Sequence, residues 1–283
     1  MDKDKVHALI TLLDDPNEIV FSSVEEALLQ EELDVIVELE KAWEGSENDI
    51  FQRRVENIIH TLQLKDVKSE LRKWVTNGAE NLLYGAFLLA KYQYPDLNYD
   101  ELNQQIDRLR RDIWLELNDH LTSIEKVRII NHVLFDIHQF IRNSSNFFSP
   151  QNSYINDVMS SKKGNPISLS IIYSVISQRL GLPIFGVNLP KNFILCYVDE
   201  NAIKEDDDIL FYINPVNKGA ILGRREIEYF LKQQKLPPNV EYFTPCSNQD
   251  VIKRVLVNLI YSYDNQGNEH KKHELQELMK IFD

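Results

Sequence analysis

The sequence predicts an α+β fold that is mostly helical, and three observations carry that expectation. Residues 1–118 repeat apolar side chains at three-to-four spacing, interrupted by short polar turns. Gly164-Asn165-Pro166 then opens an apolar helix that reaches Leu180, and three short strand-like runs follow it. A helix ahead of consecutive strands points to a helix packed on a small antiparallel sheet.

Taken in order, Val6, Leu9, Ile10, Leu12 and Leu13 give a helical stripe over Lys5 to Leu13, which Asp14-Asp15-Pro16-Asn17 breaks. A second helix starts near Glu18 and carries Val20, Val24, Leu28 and Leu29. Val35 to Trp43, Asp49 to Leu62 and Val67 to Val75 read as further short helices joined by polar breaks. The stretches Val6 to Gln30 and Val35 to Leu62 share a layout of apolar helix, acidic turn and amphipathic helix. That layout resembles HEAT-type α-hairpin repeats, which bury an apolar face only against a neighbour. An irregular helical bundle fits the same pattern, and both readings stand at this point.

Ala79 to Tyr92 is an apolar helix ended by Tyr94-Pro95-Asp96-Leu97, and Tyr99 to about Leu117 is a charged one with Ile106, Leu109, Ile113 and Leu117 on one face. Thr122 or Ser123 caps the next helix, with Glu125 in its first turn, where a negative charge meets the positive helix end. Val127, Ile130, Val133, Leu134 and Ile137 make that helix deeply packed. After turn-rich residues 143–153, Asn165 suits the N-cap and Pro166 the first position of the central helix. The strand-like runs are Ile184 to Leu189, Phe193 to Val198 and Ile209 to Ile213. A helix over Ile227 to Gln234, a Pro237-Pro238 break and a helical tail from Gln249 to Phe282 complete the chain. The expected domains are 1–118, 119–234 and 235–283.

Composition bounds the function. The net charge is −13, and residues 1–118 hold 25 acidic against 13 basic side chains, while the remainder holds 19 against 18. Phosphate attraction needs clustered cations, so nucleic acid is excluded as a partner of the first half, whereas a basic protein or peptide partner is compatible with it. A solvated acidic face that maintains solubility explains the same charge. No apolar run approaches the roughly 20 residues of a membrane span, and Met1-Asp2-Lys3-Asp4-Lys5 has no apolar signal core behind it, which predicts a cytoplasmic protein. Cys196 and Cys246 lack metal-type pairing and predict neither a disulfide nor a metal site. His270 and His273 stand three apart on one helix with no third ligand, a surface pattern. No cofactor is expected, and nothing fixes an oligomeric state.

Several ordered motifs resemble the SirB1 family of the transglutaminase-like superfamily. They are Ile130 to Phe135, Ser149-Pro150-Gln151-Asn152-Ser153-Tyr154-Ile155-Asn156, Gly164-Asn165-Pro166-Ile167-Ser168-Leu169-Ser170, Arg179-Leu180-Gly181-Leu182-Pro183 and Gly186-Val187-Asn188-Leu189-Pro190. The similarity runs over roughly residues 124–223. It implies a papain-like core in which a cysteine begins the central helix, a histidine follows on the strands and an aspartate comes later. A helix start supplies unpaired N–H groups that stabilise thiolate and oxyanion, and the carboxylate holds the imidazole in its useful tautomer.

Carried over residue by residue, the nucleophile position falls within Pro166 to Ser168, where Ser168 is the sole hydroxyl. Leu189-Pro190-Lys191-Asn192-Phe193 stands where the family shows Pro-Gly-His-Phe, so Asn192 replaces the histidine. Ile213-Asn214-Pro215 stands for Asp-Pro, so Asn214 replaces the aspartate. An amide accepts no proton near neutral pH, which leaves Ser168 without a base. In a worked serine-protease case such a loss costs about 10⁶ in turnover, roughly 8 kcal/mol. The resemblance therefore implies a degenerate site. Ser168, Asn192 and Asn214 would form a neutral hydrogen-bonding cluster that holds a peptide amide, or would satisfy one another at a buried helix start. Asn165, Pro166 and Asn156 would support the pocket. Two functions follow: a non-catalytic protein-binding or regulatory protein, or a hydrolase or acyltransferase that uses Ser168 or Cys246 in a rearranged site. Cys196, on the strand after Asn192, is too far along it to replace the missing thiol.

Overall fold

The computed structural model describes residues 3–199 and 209–283. The chain divides into two compact units, Met1–Arg72 and Lys73–Asp283. Residues 73–118 and 235–283 both belong to the second unit, together with the stretch between them. Among the described residues the secondary structure comprises twelve α-helices and six short strands, so the fold is α+β and mostly helical.

The first unit contains α1 (Lys3–Leu12), α2 (Glu18–Leu28), α3 (Val35–Glu44) and most of α4 (Asp49–Thr76). The Asp14 to Asn17 break ends in a cap: the Asn17 side chain accepts the Ile19 N–H at the start of α2. Val6, Leu13, Leu28, Leu39, Val55 and Ile58 meet in a single core cluster. Each such apolar side chain contributes about 1.5–3 kcal/mol when fully buried. Arg54 on α4 donates from Nη1 to the carbonyls of Leu13 and Asp15, both at 2.8 Å, which satisfies acceptors left open at the end of α1. The two short helices expected over 49–62 and 67–75 are one helix. Gln63-Leu64-Lys65-Asp66 contains neither Gly nor Pro, and Gln, Leu and Lys are good helix formers, so the polar step does not stop it.

In the second unit α5 (Leu82–Gln93) is nearly all buried, whereas α6 (Tyr99–Trp114) buries only the stripe Leu102, Ile106, Leu109 and Ile113. α7 (Ser123–Asn131) begins in a reciprocal capping box of Thr122 and Glu125 and continues as a π turn over His132–Ile137. Strand β1 (Ile141–Arg142) pairs in parallel with β2 (Lys163–Gly164), with α8 (Ile155–Ser161) between them in sequence. That short helix lies between the turn-rich residues and Gly164, where the sequence pattern assigned no element.

The central helix is α9 (Pro166–Arg179), and Ile167 to Ser177 are all buried. A helix with no polar face belongs to a core, and here its serines are accommodated locally. Ser170 Oγ donates to the Pro166 carbonyl and Ser174 Oγ to that of Ile184. The sheet that α9 packs on is antiparallel, β3 (Ile184–Val187), β4 (Ile194–Val198), β5 (Ile209–Asn214) and β6 (Ala220–Leu222), in that order. Strand β6 adds to the three strands expected. It is short, and it follows a turn in which Lys218 and Gly219 both have positive φ. α10 (Arg224–Gln233), α11 (Asn248–Asn265) and α12 (Glu269–Met279) follow. The expected single helical tail is two helices, because Gly267 adopts φ +70 after Gln266 and ends α11. Among the described residues no helix is long and apolar enough to cross a membrane.

Candidate functional site

The cleft that bears on function opens at the start of α9. Its floor is Asn165, Pro166 and Ile167, the N-cap and first two helical residues. One wall is the loop between β3 and β4, through Lys191, Asn192 and Phe193. α11 lines the cleft through Arg254, Asn258, Tyr261 and Ser262, and the exposed Phe147 and Phe148 form the rim. Two loops and two helices, from four parts of the sequence, thus meet at the N-terminus of the central helix.

Asn165 and Ser168 are committed to building that floor. The Asn165 side chain accepts the Ser168 N–H, and the Asn165 N–H donates to Ser168 Oγ, both at 3.0 Å, a reciprocal box that satisfies two donors of the first turn. Ser168 Oγ in turn donates to the Asn152 carbonyl at 2.7 Å, and Asn165 Nδ2 donates to Ser153 Oγ at 2.8 Å. Ser168 is 0% exposed and does not line the cleft. Its hydroxyl faces back toward the Asn152 carbonyl.

Of the three matched positions, Asn192 is the one that lines the cleft. Asn192 lines the cleft, with its Oδ1 accepting the Phe193 N–H at 2.9 Å, a contact that shapes its own loop. Asn214 ends β5 and is not part of the lining; its Oδ1 is buried with no hydrogen-bond partner. Asn156, on α8, also lies outside the lining, with a buried, unpartnered Oδ1. Asn152 accepts from Asn143 Nδ2 and donates to the Asn146 and Phe147 carbonyls, so it organises the loop that carries the aromatic rim. Tyr154 packs fully buried, its hydroxyl 3.0 Å from that of Tyr263.

Cys246 is outside the lining as well. Its N–H donates to the Gly186 carbonyl at 2.8 Å, which pins the loop before α11 to strand β3. Burial, assisted by the nearby Asp250 carboxylate, pushes its thiol up to about 12. Burial, and then the charge of Cys246, pushes Cys196 up to about 12 as well. Both cysteines are free and protonated at neutral pH, the opposite of an activated nucleophile. His270 Nδ1 lies 3.7 Å from Glu274 on its own helix, and His273 is exposed. Among the described residues no histidine and no carboxylate lines the cleft.

Arg254 is the residue that the sequence pattern did not single out. Its Nη1 donates to Asn188 Oδ1 at 3.0 Å, and burial lowers its pKa. It sits more than eighty residues beyond Asn165, so no local spacing announces the meeting. The one available signal was Phe147-Phe148, adjacent aromatics in a polar loop, both of which are exposed. Their rings are 5.1 Å apart and edge-on, and Phe148 meets Tyr261 at 5.5 Å.

Comparison with known proteins agrees with this architecture. The family model described as transglutaminase-like superfamily matches residues 100–257. A UPF0162 protein of Xylella fastidiosa (strain 9a5c) is 30% identical over 193 residues, 65% of this chain and 65% of that protein. The UPF0162 protein of Vibrio cholerae is 23% identical over 159 residues, 56% of each. F-box only protein 21 of Homo sapiens is 23% identical over 293 residues, 93% of this chain but 45% of the human protein. The chain thus spans about two thirds or less of the curated relatives it matches. No solved structure matches it. With the match covering more than half of its length and the helix-on-sheet core in place, the chain belongs to the transglutaminase-like superfamily.

Proposed function

We propose that this chain is a non-catalytic protein-binding or regulatory protein whose degenerate transglutaminase-like cleft holds a segment of another protein. One observation carries the reading: the side chains that reach the cleft at the helix start are an asparagine, a proline and an isoleucine, with an asparagine opposite. Acyl transfer needs a nucleophile and a base within hydrogen-bond reach. Ser168 is occupied as a cap, and the Cys246 thiol is both outside the lining and held protonated. A preformed cleft with an exposed aromatic rim has the composition of a protein-recognition surface. The finer resemblance to the SirB1 family, and a HEAT-like role for the first unit as an acidic protein-binding surface, belong to the same reading, as does action in the cytoplasm.

The test has two parts. Acyl transfer and hydrolysis are measured with glutaminyl and ester donors for the native chain, Ser168→Ala and Cys246→Ala; the expected turnover is that of the buffer blank. Turnover in the native chain that either substitution abolishes would establish a rearranged enzyme and overturn the proposal. A pool of short peptides of mixed charge is then titrated by fluorescence anisotropy against the native chain and Asn258→Trp, which fills the cleft from the α11 side. Binding that Asn258→Trp removes supports the reading.

A further inference from the structure

We infer that the cleft selects an acidic segment: an Asp or Glu side chain of the bound chain seats against Arg254 and Lys191 while an adjacent apolar residue packs on Phe147, Phe148 and Tyr261. The inference rests on the peptide-binding reading above and adds the chemistry of the occupant.

The chain carries 44 acidic side chains against 31 basic ones, yet the cleft lining contains two cations and, among the described residues, no acid. The whole lining comes from residues 119–283, which hold 19 acidic against 18 basic side chains, so two cations with no acid beside them make the lining locally positive. Arg254 has five N–H donors in a fixed fork, and its recorded hydrogen bond uses Nη1 toward a neutral amide, Asn188 Oδ1. A half-buried guanidinium held by an amide and not by a carboxylate is positioned but not neutralised. Its fork matches a carboxylate in bidentate geometry. Lys191 is exposed at positive φ on the β3–β4 loop, and its Nζ donates to another neutral group, Gln234 Oε1, at 3.1 Å. The two cations therefore both belong to the lining where α11 meets the β3–β4 loop, Arg254 bonded to Asn188 of that loop and Lys191 carried by it, and each is held by an amide and not by a carboxylate.

The remaining lining fits a side chain beside the acid. The aromatic trio packs edge-on at 5.1 and 5.5 Å and leaves Phe147, Phe148 and Tyr261 about half exposed, an apolar platform open to a ligand side chain. Arg142 lies over one face of Phe147, 5.0 Å from its ring centroid. A basic segment would meet two like charges here. Nucleic acid would bring phosphate without the apolar side chain that the platform accepts, and would meet a chain of net charge −13.

The experiment uses short fluorescein-labelled peptides, acetylated and amidated, that share a central Leu-Phe pair flanked by Glu, Gln or Lys. A Gln peptide with a free C-terminus and a short single-stranded oligonucleotide accompany them. Anisotropy titrations with the full-length chain should rank Glu above Gln and Gln above Lys. Arg254→Gln should weaken the Glu peptide by about tenfold or more and leave the Gln peptide nearly unchanged, as loss of a charge-assisted hydrogen bond requires. Lys191→Gln, on an exposed loop residue, should weaken the Glu peptide less, and added salt should narrow the gap between Glu and Gln. Equal binding of the three amidated peptides, all removed by Asn258→Trp, would overturn the acidic selectivity and leave the peptide-binding reading standing. Preference for the free C-terminus or for the oligonucleotide would likewise overturn it. Absence of binding by every peptide would remove both.

Discussion

Replacing Ser168 by alanine separates a structural serine from a catalytic one, because the two roles predict losses of different kinds. The substitution deletes one acceptor and one donor in a site with no water access. The Asn165 N–H loses Oγ at 3.0 Å, and the Asn152 carbonyl loses the hydroxyl at 2.7 Å. The two groups keep each other through the longer Asn165 N–H to Asn152 carbonyl bond at 3.3 Å, so neither is left unpaired. Each lost hydrogen bond then costs about 0.5–1.5 kcal/mol, and the methyl group that remains fills nearly the same volume, so the cavity contribution is small. Asn165 Oδ1 still accepts the Ser168 N–H, so half of the capping box survives. The sum is about 1–3 kcal/mol. At roughly 2–4 °C per kcal/mol for a folding unit of this size, Tm should fall by about 2–12 °C. Urea unfolding followed by circular dichroism measures the loss, and the slope of the transition should stay constant. A Ser168→Ala protein as stable as the native chain would refute the argument that this hydroxyl is committed to the fold.

Other expectations follow from the same coordinates. Gly219→Ala should destabilise the chain by about 2 kcal/mol or more, since Gly219 sits at φ +69 and an added Cβ would run into the Asn131 side chain; thermal melts against Asn131→Ala would show whether the two losses overlap. Thr122→Ala removes the N-cap of α7 and should cost about 1 kcal/mol by chemical denaturation, with no effect on peptide binding. Native Cys196 and Cys246 should label slowly with a thiol reagent at pH 7 and faster as pH rises, because burial holds both thiols up to about 12; stoichiometric labelling within seconds would contradict the described packing. The same shift makes the folded chain bind more protons than the unfolded one between about pH 9 and 12, so the contribution of these thiols to stability is present below that window and is lost as pH rises through it. Denaturation midpoints compared with those of a Cys196→Ala, Cys246→Ala double variant isolate that slope.

Much of the fold was legible because it is written in local chemistry. Asn165-Pro166 marked the start of α9, Thr122 with Glu125 marked α7, and the apolar runs that follow Pro166 marked the helix and three strands of its sheet. Features that depend on a single backbone angle or on the lack of a breaker were not legible: Gly267 splitting the C-terminal helix, β6 after the Lys218-Gly219 turn, and α4 running through Gln63 to Asp66. For the site, the motif positions located the helix start but not which side chains reach the cleft. Ser168 was the only hydroxyl at hand, and its direction is decided by the Asn152 turn, a tertiary partner sixteen residues away. Arg254 comes from α11, whose spatial neighbour is fixed by packing and not by sequence distance.

The enclosure of α9 on every face has a kinetic consequence. A helix buried from Ile167 to Ser177 can expose its amides only when the surrounding unit opens, so its hydrogens should exchange at the rate of global unfolding, while those of the rim loop around Phe147 exchange early. An occupant arriving at the mouth therefore meets a floor already in its final geometry. Recognition then proceeds by encounter with a stationary surface, and differences among occupants are expressed in how long they stay.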